Sequence, residues 1–283
     1  KKGIFVCNAM KNNIPIINPL SEINLAIDAV IDAGKTVMEI YDQGFEQMTK
    51  INNEPLTKAD VESNKIIHEI ISTSDHPILS EESDDTKKRL ERKTVWIVDP
   101  LDGTSDFIHK TNEFTIMIGL VKEQKPILGV IYCPTNDTLY VAQQDQGAYQ
   151  LLGEKWSKLS VSTISDLAKS RVVCSRHHLS QNERDFLENI HPMKLTQRGS
   201  SLKAIDVASG MAEFYFTSSN KIKQWDTCAS YCLIKEAGGN ITDVFGNNLE
   251  YNTEIVNHQN GIMITNGLVH NLLIDSYRKF MNT

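Results

Sequence analysis

The chain has 283 residues, and its hydrophobic fraction of 40% and charged fraction of 23% are ordinary for a globular enzyme. Its formal net charge of -7 argues against broad binding to nucleic acid, because the phosphate backbone would be repelled. The five cysteines are scattered and form no CxxC pair, so neither a zinc site nor a disulfide framework is expected. No apolar run in the sequence is long enough to span a bilayer.

The first nine residues carry basic side chains and an apolar patch that is too short for a signal peptide. We therefore expect residues 1–19 to form an N-terminal extension and the cysteine thiols to be reduced. Both expectations favour a cytoplasmic protein, and peripheral attachment to the inner membrane is the open alternative.

Hydrophobic periodicity in residues 20–160 predicts two helices followed by a sheet. Apolar residues at helical spacing predict helices over 22–41 and 58–72, with a turn over 50–55 between them. Short apolar runs predict strands over 77–80 and 95–98. Four further runs predict an antiparallel meander, over 114–122, 127–133, 139–143 and 147–151.

Residues 161–283 are expected to form a smaller α/β unit packed on the first. Strands are predicted over 172–174, 212–216 and 262–265. Helices are predicted over 181–190, 202–210, 226–238 and 269–281, the third of them ended by Gly238-Gly239. Helices that alternate with antiparallel strands predict a layered α/β/α architecture.

One strand is expected to end in a group of oxygen ligands. The run Val95-Trp96-Ile97-Val98 has no polar face, which is typical of a strand covered on both sides. Pro100 cannot donate to a sheet ladder, so the strand should end near Asp99. Asp99 and Asp102 then flank a tight turn, with the carbonyl of Leu101 between them.

A short helix could begin directly after this turn, at Gly103 and Thr104, with outward backbone N–H groups. Carboxylate and carbonyl oxygens beside free N–H donors suit a hard cation that holds a phosphate. For this turn alone, a solvated pair of aspartates is the more ordinary interpretation.

Three other acidic positions are candidates for the same site. The pair Glu81-Glu82 follows the short predicted strand, Asp226 begins an apolar helix, and Asp60 lies near a helix start. Each has an ordinary alternative: adjacent acids are common on exposed loops, and an acid in a first helical turn is often a cap.

The four segments together carry a resemblance that none of them carries alone. They are Leu79-Ser80-Glu81-Glu82, Asp99-Pro100-Leu101-Asp102-Gly103-Thr104, Gly199-Ser200-Ser201-Leu202-Lys203 and Trp225-Asp226-Thr227-Cys228-Ala229. In this order they resemble the lithium-sensitive, magnesium-dependent phosphomonoesterases of the inositol monophosphatase superfamily. The likeness extends from the helix near Ser21 to the end of the chain.

The resemblance implies the five-layer αβαβα sandwich of the inositol monophosphatase and fructose-1,6-bisphosphatase type. It also implies two or three Mg²⁺ ions, with inhibition by Li⁺. The implied metal ligands are Glu81, Asp99, the Leu101 carbonyl, Asp102 and Asp226. The implied catalytic residues are Asp60, Thr104 and Glu81, with Glu82 supporting the ligands.

Within the superfamily the chain looks most like the bacterial 3'(2'),5'-bisphosphate nucleotidases of the CysQ type. Those enzymes convert adenosine 3',5'-bisphosphate to AMP and phosphate in sulfur metabolism. The resemblance rests partly on Val172-Val173-Cys174-Ser175-Arg176-His177-His178, and the segment 217–220 lacks the acid with which inositol phosphatases bind ring hydroxyls. The implied substrate contacts are Gly103, Thr104, Ser200, Lys203, Arg176 and Asp226, with Ser175 and His177 as further candidates.

Several alternatives remain open from the sequence. An inositol or other sugar phosphatase would keep the same metal site. A non-enzymatic role in binding RNA or protein is a second class, although such a role need not retain the whole acidic set. Arg176 and His177 could equally be surface polar residues. A monomer is favoured over a homodimer.

Overall fold

The computed structural model describes residues 13–45, 47–49 and 55–282. The predicted N-terminal extension is therefore described only from residue 13, and the predicted turn over 50–55 only at Pro55; their other residues lie outside the described ranges. The described part of the extension contacts the seven-stranded sheet of the first half. The Gln143 side chain donates to the Asn18 carbonyl at 2.7 Å and accepts the Leu20 N–H at 2.8 Å.

The first half contains a helix pair and a seven-stranded sheet. Its elements before the meander are α1 (Glu22–Gln43), β1 (Gln47–Thr49), β2 (Pro55–Thr57), α2 (Lys58–Ile71), β3 (Ile78–Ser80), β4 (Thr94–Asp102) and α3 (Thr104–Ile108). The meander comprises β5 (Thr115–Lys122), β6 (Lys125–Cys133), β7 (Thr138–Gln143), β8 (Gly147–Leu152) and β9 (Lys155–Lys158). Strands β3 to β9 lie in sequence order, with β3 parallel to β4 and every other pair antiparallel.

The second half contains a mixed five-stranded sheet. Its elements are β10 (Arg171–Ser175), α4 (Gln181–Ile190), β11 (Lys194–Arg198), α5 (Leu202–Ala208), β12 (Phe214–Thr217), α6 (Gln224–Glu236), β13 (Asn240–Thr242), β14 (Ile262–Thr265) and α7 (His270–Met281). The spatial order of its strands is β11-β10-β12-β14-β13. Short 3₁₀ turns lie at Lys88–Glu91 in the first half and at Leu167–Lys169 in the second half.

These elements stack in five layers. Helices α1 and α2 cover the outer face of the seven-stranded sheet, and α4 and α7 cover the outer face of the five-stranded sheet. Helices α5 and α6 fill the layer between the sheets, where one continuous apolar cluster joins both halves of the chain. The predicted αβαβα architecture is confirmed. No helix within the described ranges is both long and apolar enough to cross a membrane.

The four described cysteines, Cys133, Cys174, Cys228 and Cys232, are buried and free. Predicted and observed helix ends differ by up to two residues, and one of these differences has a local cause. Helix α6 ends at Glu236 with Ala237 as its C-cap, and Gly238 then adopts a left-handed φ of 94°. The predicted domain boundary near residue 160 falls between β9 and β10, where the chain passes from one sheet to the other. The separation of the halves as domains stays a prediction.

Candidate active site

A β-bulge near the end of β4 organises the site. Asp99 pairs with Met117 of β5 and Asp102 pairs with Thr115, so three steps along β4 oppose two along β5. Side chains alternate along a strand, so residues three apart would normally face opposite sides; the extra residue returns Asp102 to the side of Asp99. Both carboxylates therefore face the layer between the sheets.

The prediction that this strand ends near Asp99 was wrong. Strand β4 continues to Asp102, because Pro100 lies within the bulge, where the ladder does not require its missing N–H. The buried hydroxyl of Ser63 on α2 donates to the Pro100 carbonyl at 2.6 Å and fixes the irregular backbone. The predicted short helix does begin at Thr104, after Gly103 in a left-handed conformation with φ 93°.

Three carboxylates from three separate elements meet beside the bulge. One oxygen each of Glu81, Asp99 and Asp226 lies within 4.8 Å of the other two. Glu81 follows β3 and is held there because its backbone N–H donates to the Val98 carbonyl at 3.2 Å. Asp226 lies in the first turn of α6, where its Oδ2 accepts the backbone N–H of Lys223 at 2.7 Å. Across the described residues, no other group of three or more His, Cys, Asp or Glu side chains is arranged to hold a metal.

The electrostatics of this group fit a bound divalent cation. Burial raises the pKa of Asp99 well above its usual range, and the charges of Glu81, Asp102 and Asp226 raise it further. Burial and the charges of Glu81 and Asp102 likewise raise the pKa of Asp226. Carboxylates packed this closely repel one another unless a cation lies among them, and an all-oxygen donor set is the one that Mg²⁺ prefers.

Asp102 is oriented by the second half of the chain. Its Oδ2 accepts the Ser200 hydroxyl at 2.6 Å and the Ser201 backbone N–H at 2.5 Å. The hydroxyl of Thr115 contacts both serine hydroxyls, at 2.8 and 2.7 Å. Because Oδ2 is held by these donors, Oδ1 is the oxygen that Asp102 can offer to a cation.

Asp60 and Thr104 form a hydrogen-bonded pair at the same end of β4. The Thr104 hydroxyl donates to Asp60 Oδ1 at 2.9 Å and lies 3.3 Å from the Leu101 carbonyl oxygen. Asp60 Oδ2 accepts both the backbone N–H and the hydroxyl of Thr57, each at 2.7 Å, in a capping box at the start of α2. The helix cap thus fixes the carboxylate that faces Thr104.

A cavity of about 300 Å³ opens over these groups and is lined by both halves of the chain. The predicted site residues on its wall are Glu81, Asp99, Leu101, Asp102, Gly103, Thr104, Ser175, His177, Ser200, Lys203 and Asp226. The sequence reasoning missed Tyr215, Lys221 and Lys223, which line the cavity as well. The two lysines had a signal, because they lie directly before the Trp225-Asp226 pair.

Three predicted residues lie away from this wall. Asp60 is behind Thr104, and the Glu82 carbonyl accepts the Asn64 amide of α2 at 3.2 Å. Arg176 makes ion pairs with Asp106 at 2.5 Å and with Glu113 at 2.8 Å. A direct contact between Arg176 and the substrate stays a prediction, although these acids already engage its guanidinium.

An acid cluster suited to a hard cation, beside a strand-to-helix turn and open to a cavity, is typical of metal-assisted phosphatases. The chain matches the Inositol monophosphatase family over residues 19–281, and it belongs to that family. The predicted superfamily is thereby confirmed, and the chain is a phosphatase of this fold.

The similar proteins include the branch that the sequence motifs indicated. The 3'(2'),5'-bisphosphate nucleotidase CysQ of Shigella flexneri is 34% identical over 227 residues, which are 78% of this chain and 89% of the relative. The crystal structure of CysQ from Bacteroides thetaiotaomicron has a TM-score of 0.73 and 29% identity, covering 85% of this chain and 95% of that one. The extragenic suppressor protein SuhB of Bartonella henselae has a TM-score of 0.79 and 26% identity, covering 92% and 99%.

Proposed function

We propose that this phosphatase hydrolyses the 3'-phosphate of adenosine 3',5'-bisphosphate, giving AMP and inorganic phosphate, with Mg²⁺ as its cofactor. The observation that carries the proposal is that carboxylates and lysines line one cavity. The carboxylates of Glu81, Asp99 and Asp226 lie on its wall together with Lys203, Lys221 and Lys223. The names of the CysQ relatives support the same substrate class.

The three lysines come from the second half of the chain. Lys203 Nζ donates to the Ser200 carbonyl at 2.6 Å and lies 5.3 Å from the centre of the Tyr215 ring. Lys223 Nζ lies 5.3 Å from the centre of the Trp225 ring. Burial lowers the pKa of His178, the charges of His177, Lys203 and Lys221 lower it further, and the charge of Asp106 opposes them, so Lys203 and Lys221 both lie near this ring.

A ligand with two phosphates can use the carboxylates and the lysines at once. One phosphate would bind near the carboxylates through cations, while the other would meet the lysines. A monophosphate such as inositol 1-phosphate has only one phosphate for these two groups. This difference favours a bisphosphate over the inositol phosphates.

The residues that would hold Mg²⁺ are Glu81, Asp99, the Leu101 carbonyl, Asp102 and Asp226. When bound, the metal supplies a more acidic water and positive charge beside the phosphoryl oxygens. Two or three ions would fit the expectation from the family, and we expect Li⁺ to inhibit.

The chain's own residues would orient the attacking water and take up its proton. Because the Thr104 hydroxyl donates to Asp60 Oδ1, its lone pairs can accept a hydrogen bond from the water. The proton would pass from the water to Thr104 Oγ1 and from there to Asp60 Oδ1. The backbone N–H groups of Gly103 and Thr104 would donate to the phosphoryl oxygens, on which charge builds in the transition state.

Phosphate release from three substrates tests the proposal. We would compare adenosine 3',5'-bisphosphate, inositol 1-phosphate and fructose 1,6-bisphosphate in Mg²⁺, each with and without Li⁺. The proposal predicts a preference of at least about tenfold in kcat/KM for the nucleotide over inositol 1-phosphate, since each lost charge-assisted contact costs roughly 1.5–3 kcal/mol. A preference for inositol 1-phosphate would contradict the role of the lysines, and a preference for fructose 1,6-bisphosphate would contradict the nucleotide as the substrate. No turnover of any substrate would favour a binding role instead.

A further inference from the structure

Glu113 does not line the cavity, but its carboxylate links two segments beside it, one at Arg176 and one at Arg198 and Gly199. Its side chain is 16% exposed. Oε2 accepts the backbone N–H of Gly199 at 2.7 Å and lies 2.8 Å from the Arg176 guanidinium. Oε1 accepts from Arg198 at 2.9 Å.

The segment that Glu113 holds, residues 199–201, needs support from outside its own strand. It follows β11, an edge strand that pairs only with β10 and contributes no residue to the apolar clusters. Within the segment, Ser200 has a φ of 54°, a left-handed conformation that persists only where its surroundings hold it. The donors to Asp102 Oδ2 come from this same segment.

Close packing fixes the position of Glu113 relative to the turn after β4. A Cβ atom on Gly199 would lie 2.3 Å from Asp106 Oδ2 and 2.9 Å from the Glu113 carbonyl oxygen. A Cβ atom on Gly103 would lie 3.0 Å from that same carbonyl oxygen. The backbone of Glu113 therefore touches both the segment 199–201 and the turn that carries the proposed phosphate donors.

We propose that Glu113 is a positioning residue for the metal site. Through Gly199 and Arg198 it fixes the segment 199–201, and that segment fixes Asp102 so that Oδ1 faces the cation. The proposal rests on the metal-dependent function proposed above. Partners that orient a metal ligand typically change metal affinity or activity by about 10–100-fold when they are lost.

The chain offers a matched control for this test. Asp206 accepts two hydrogen bonds from Arg198, at 2.8 and 3.1 Å, and thus shares this cation with Glu113. Within the described residues, the Asp206 carboxylate bonds Arg198 and contacts neither Gly199 nor Arg176. Glu113→Gln and Asp206→Asn each remove one negative charge beside Arg198. Only Glu113→Gln also weakens the hydrogen bond to the Gly199 backbone, which fixes residues 199–201.

The test measures Mn²⁺ binding to the full chain by electron paramagnetic resonance, since Mn²⁺ prefers the same oxygen ligands as Mg²⁺. We expect Glu113→Gln to weaken Mn²⁺ binding by about tenfold or more and Asp206→Asn by less than about threefold. The thermal midpoints of the two metal-free variants should differ little. Activity of Glu113→Gln should recover partly at high Mg²⁺ concentration.

The outcomes separate this inference from the proposed function. If the unmodified chain binds Mn²⁺ and both variants bind it with unchanged or equally reduced affinity, the role of Glu113 is overturned and the metal site remains. If the unmodified chain binds no Mn²⁺, the proposed function and the positioning role are both overturned.

Discussion

The two oxygens of Asp60 face different partners. Oδ2 accepts from Thr57 and closes the cap of α2, while Oδ1 accepts the Thr104 hydroxyl. A carboxylate has enough lone pairs to serve both partners, so a cap and a proposed proton acceptor can be one group. From the sequence these two interpretations of Asp60 compete, and only the three-dimensional contacts show that they are compatible.

The carboxylates that meet at the bulge could be predicted because family motifs mark them. The surroundings of Arg176 could not be predicted in the same way. Its partner Asp106 lies 70 positions away in the sequence, and no local pattern specifies that ion pair. Lys221 and Lys223 were missed because lysines near a helix start are usually solvated surface residues.

Because the side chain of His270 is buried, we expect the free energy of unfolding to fall in acid. The residue is 4% exposed, and its Nε2 and Nδ1 lie 3.0 Å from the hydroxyls of Thr242 and Thr265, respectively. The Thr242 hydroxyl donates to the Asp243 carbonyl at 2.7 Å, so it accepts from Nε2–H, and Nδ1 is the acceptor for Thr265. Burial, with a smaller effect of the Lys235 charge, lowers the pKa of His270 to about 4.

A folded-state pKa below the unfolded value of about 6.5 means that the unfolded chain binds the proton first as the pH falls. The contribution of the neutral His270 ring to the free energy of unfolding is therefore complete above about pH 6.5. It is lost progressively as the pH falls to about 4. His270→Gln keeps one donor and one acceptor but cannot titrate. We expect urea unfolding to show a loss on the order of 2 kcal/mol over this pH range that the variant lacks. The same pH dependence in both proteins would contradict this account.

Elements with a strong apolar pattern, including the short edge strand β3, were predictable, whereas the edge strands β9, β11 and β13 were not. The helix predicted over 181–190 is α4 (Gln181–Ile190), because Ser180 and Glu183 form a capping box before an amphipathic run. Strand β11 was missed because most of its side chains are exposed and Leu195 is its only large apolar residue. Its pairing with β10 depends on backbone hydrogen bonds, which leave no trace in the sequence.

Two paired glycines allow α6, which carries Asp226, to lie close to the seven-stranded sheet. Gly119 of β5 pairs with Gly129 of β6. A Cβ atom on Gly129 would lie 2.3 Å from the Ala229 carbonyl oxygen, which is helix backbone. A Cβ atom on Gly119 would lie 2.3 Å from the thiol of Cys228, which can rotate.

We therefore expect Gly129→Ala to destabilise the protein more than Gly119→Ala does. The backbone of α6 must shift to accommodate the first variant, at a cost of about 1–3 kcal/mol, whereas a thiol can move for the second. Urea unfolding of the two variants measures this difference. Equal stability of both variants and the unmodified chain would show that α6 does not rest on this glycine pair.

At the scale of the whole molecule, the site exists only where the two halves meet. Asp99 and Asp102 come from the sheet of the first half, while Asp226 and the serines that bond Asp102 come from the second. The motifs identified these residues, but the sequence alone could not show which oxygen of Asp102 remains for a cation. That property depends on how segment 199–201 meets the bulge across the central layer.

The central claim is that the acid cluster at the bulge binds the cation on which phosphate release depends, and Asp99→Asn tests it most directly. Asparagine keeps the shape and can still accept the Leu101 N–H, now 3.1 Å from Asp99 Oδ1, but it removes a negative charge from the crowded cluster. The metal-free variant should therefore be at least as stable as the unmodified chain.

The decisive measurement is Mg²⁺-dependent phosphate release from adenosine 3',5'-bisphosphate, together with the thermal midpoint with and without Mg²⁺. We expect Asp99→Asn to lose more than about a hundredfold in kcat/KM, beyond the effect of losing an outer partner of a ligand. Mg²⁺ should raise the thermal midpoint of the unmodified chain but not that of the variant, because a ligand stabilises only the folded state that binds it. Near-normal turnover by Asp99→Asn, with an equal thermal shift in Mg²⁺, would contradict the assignment of the metal site.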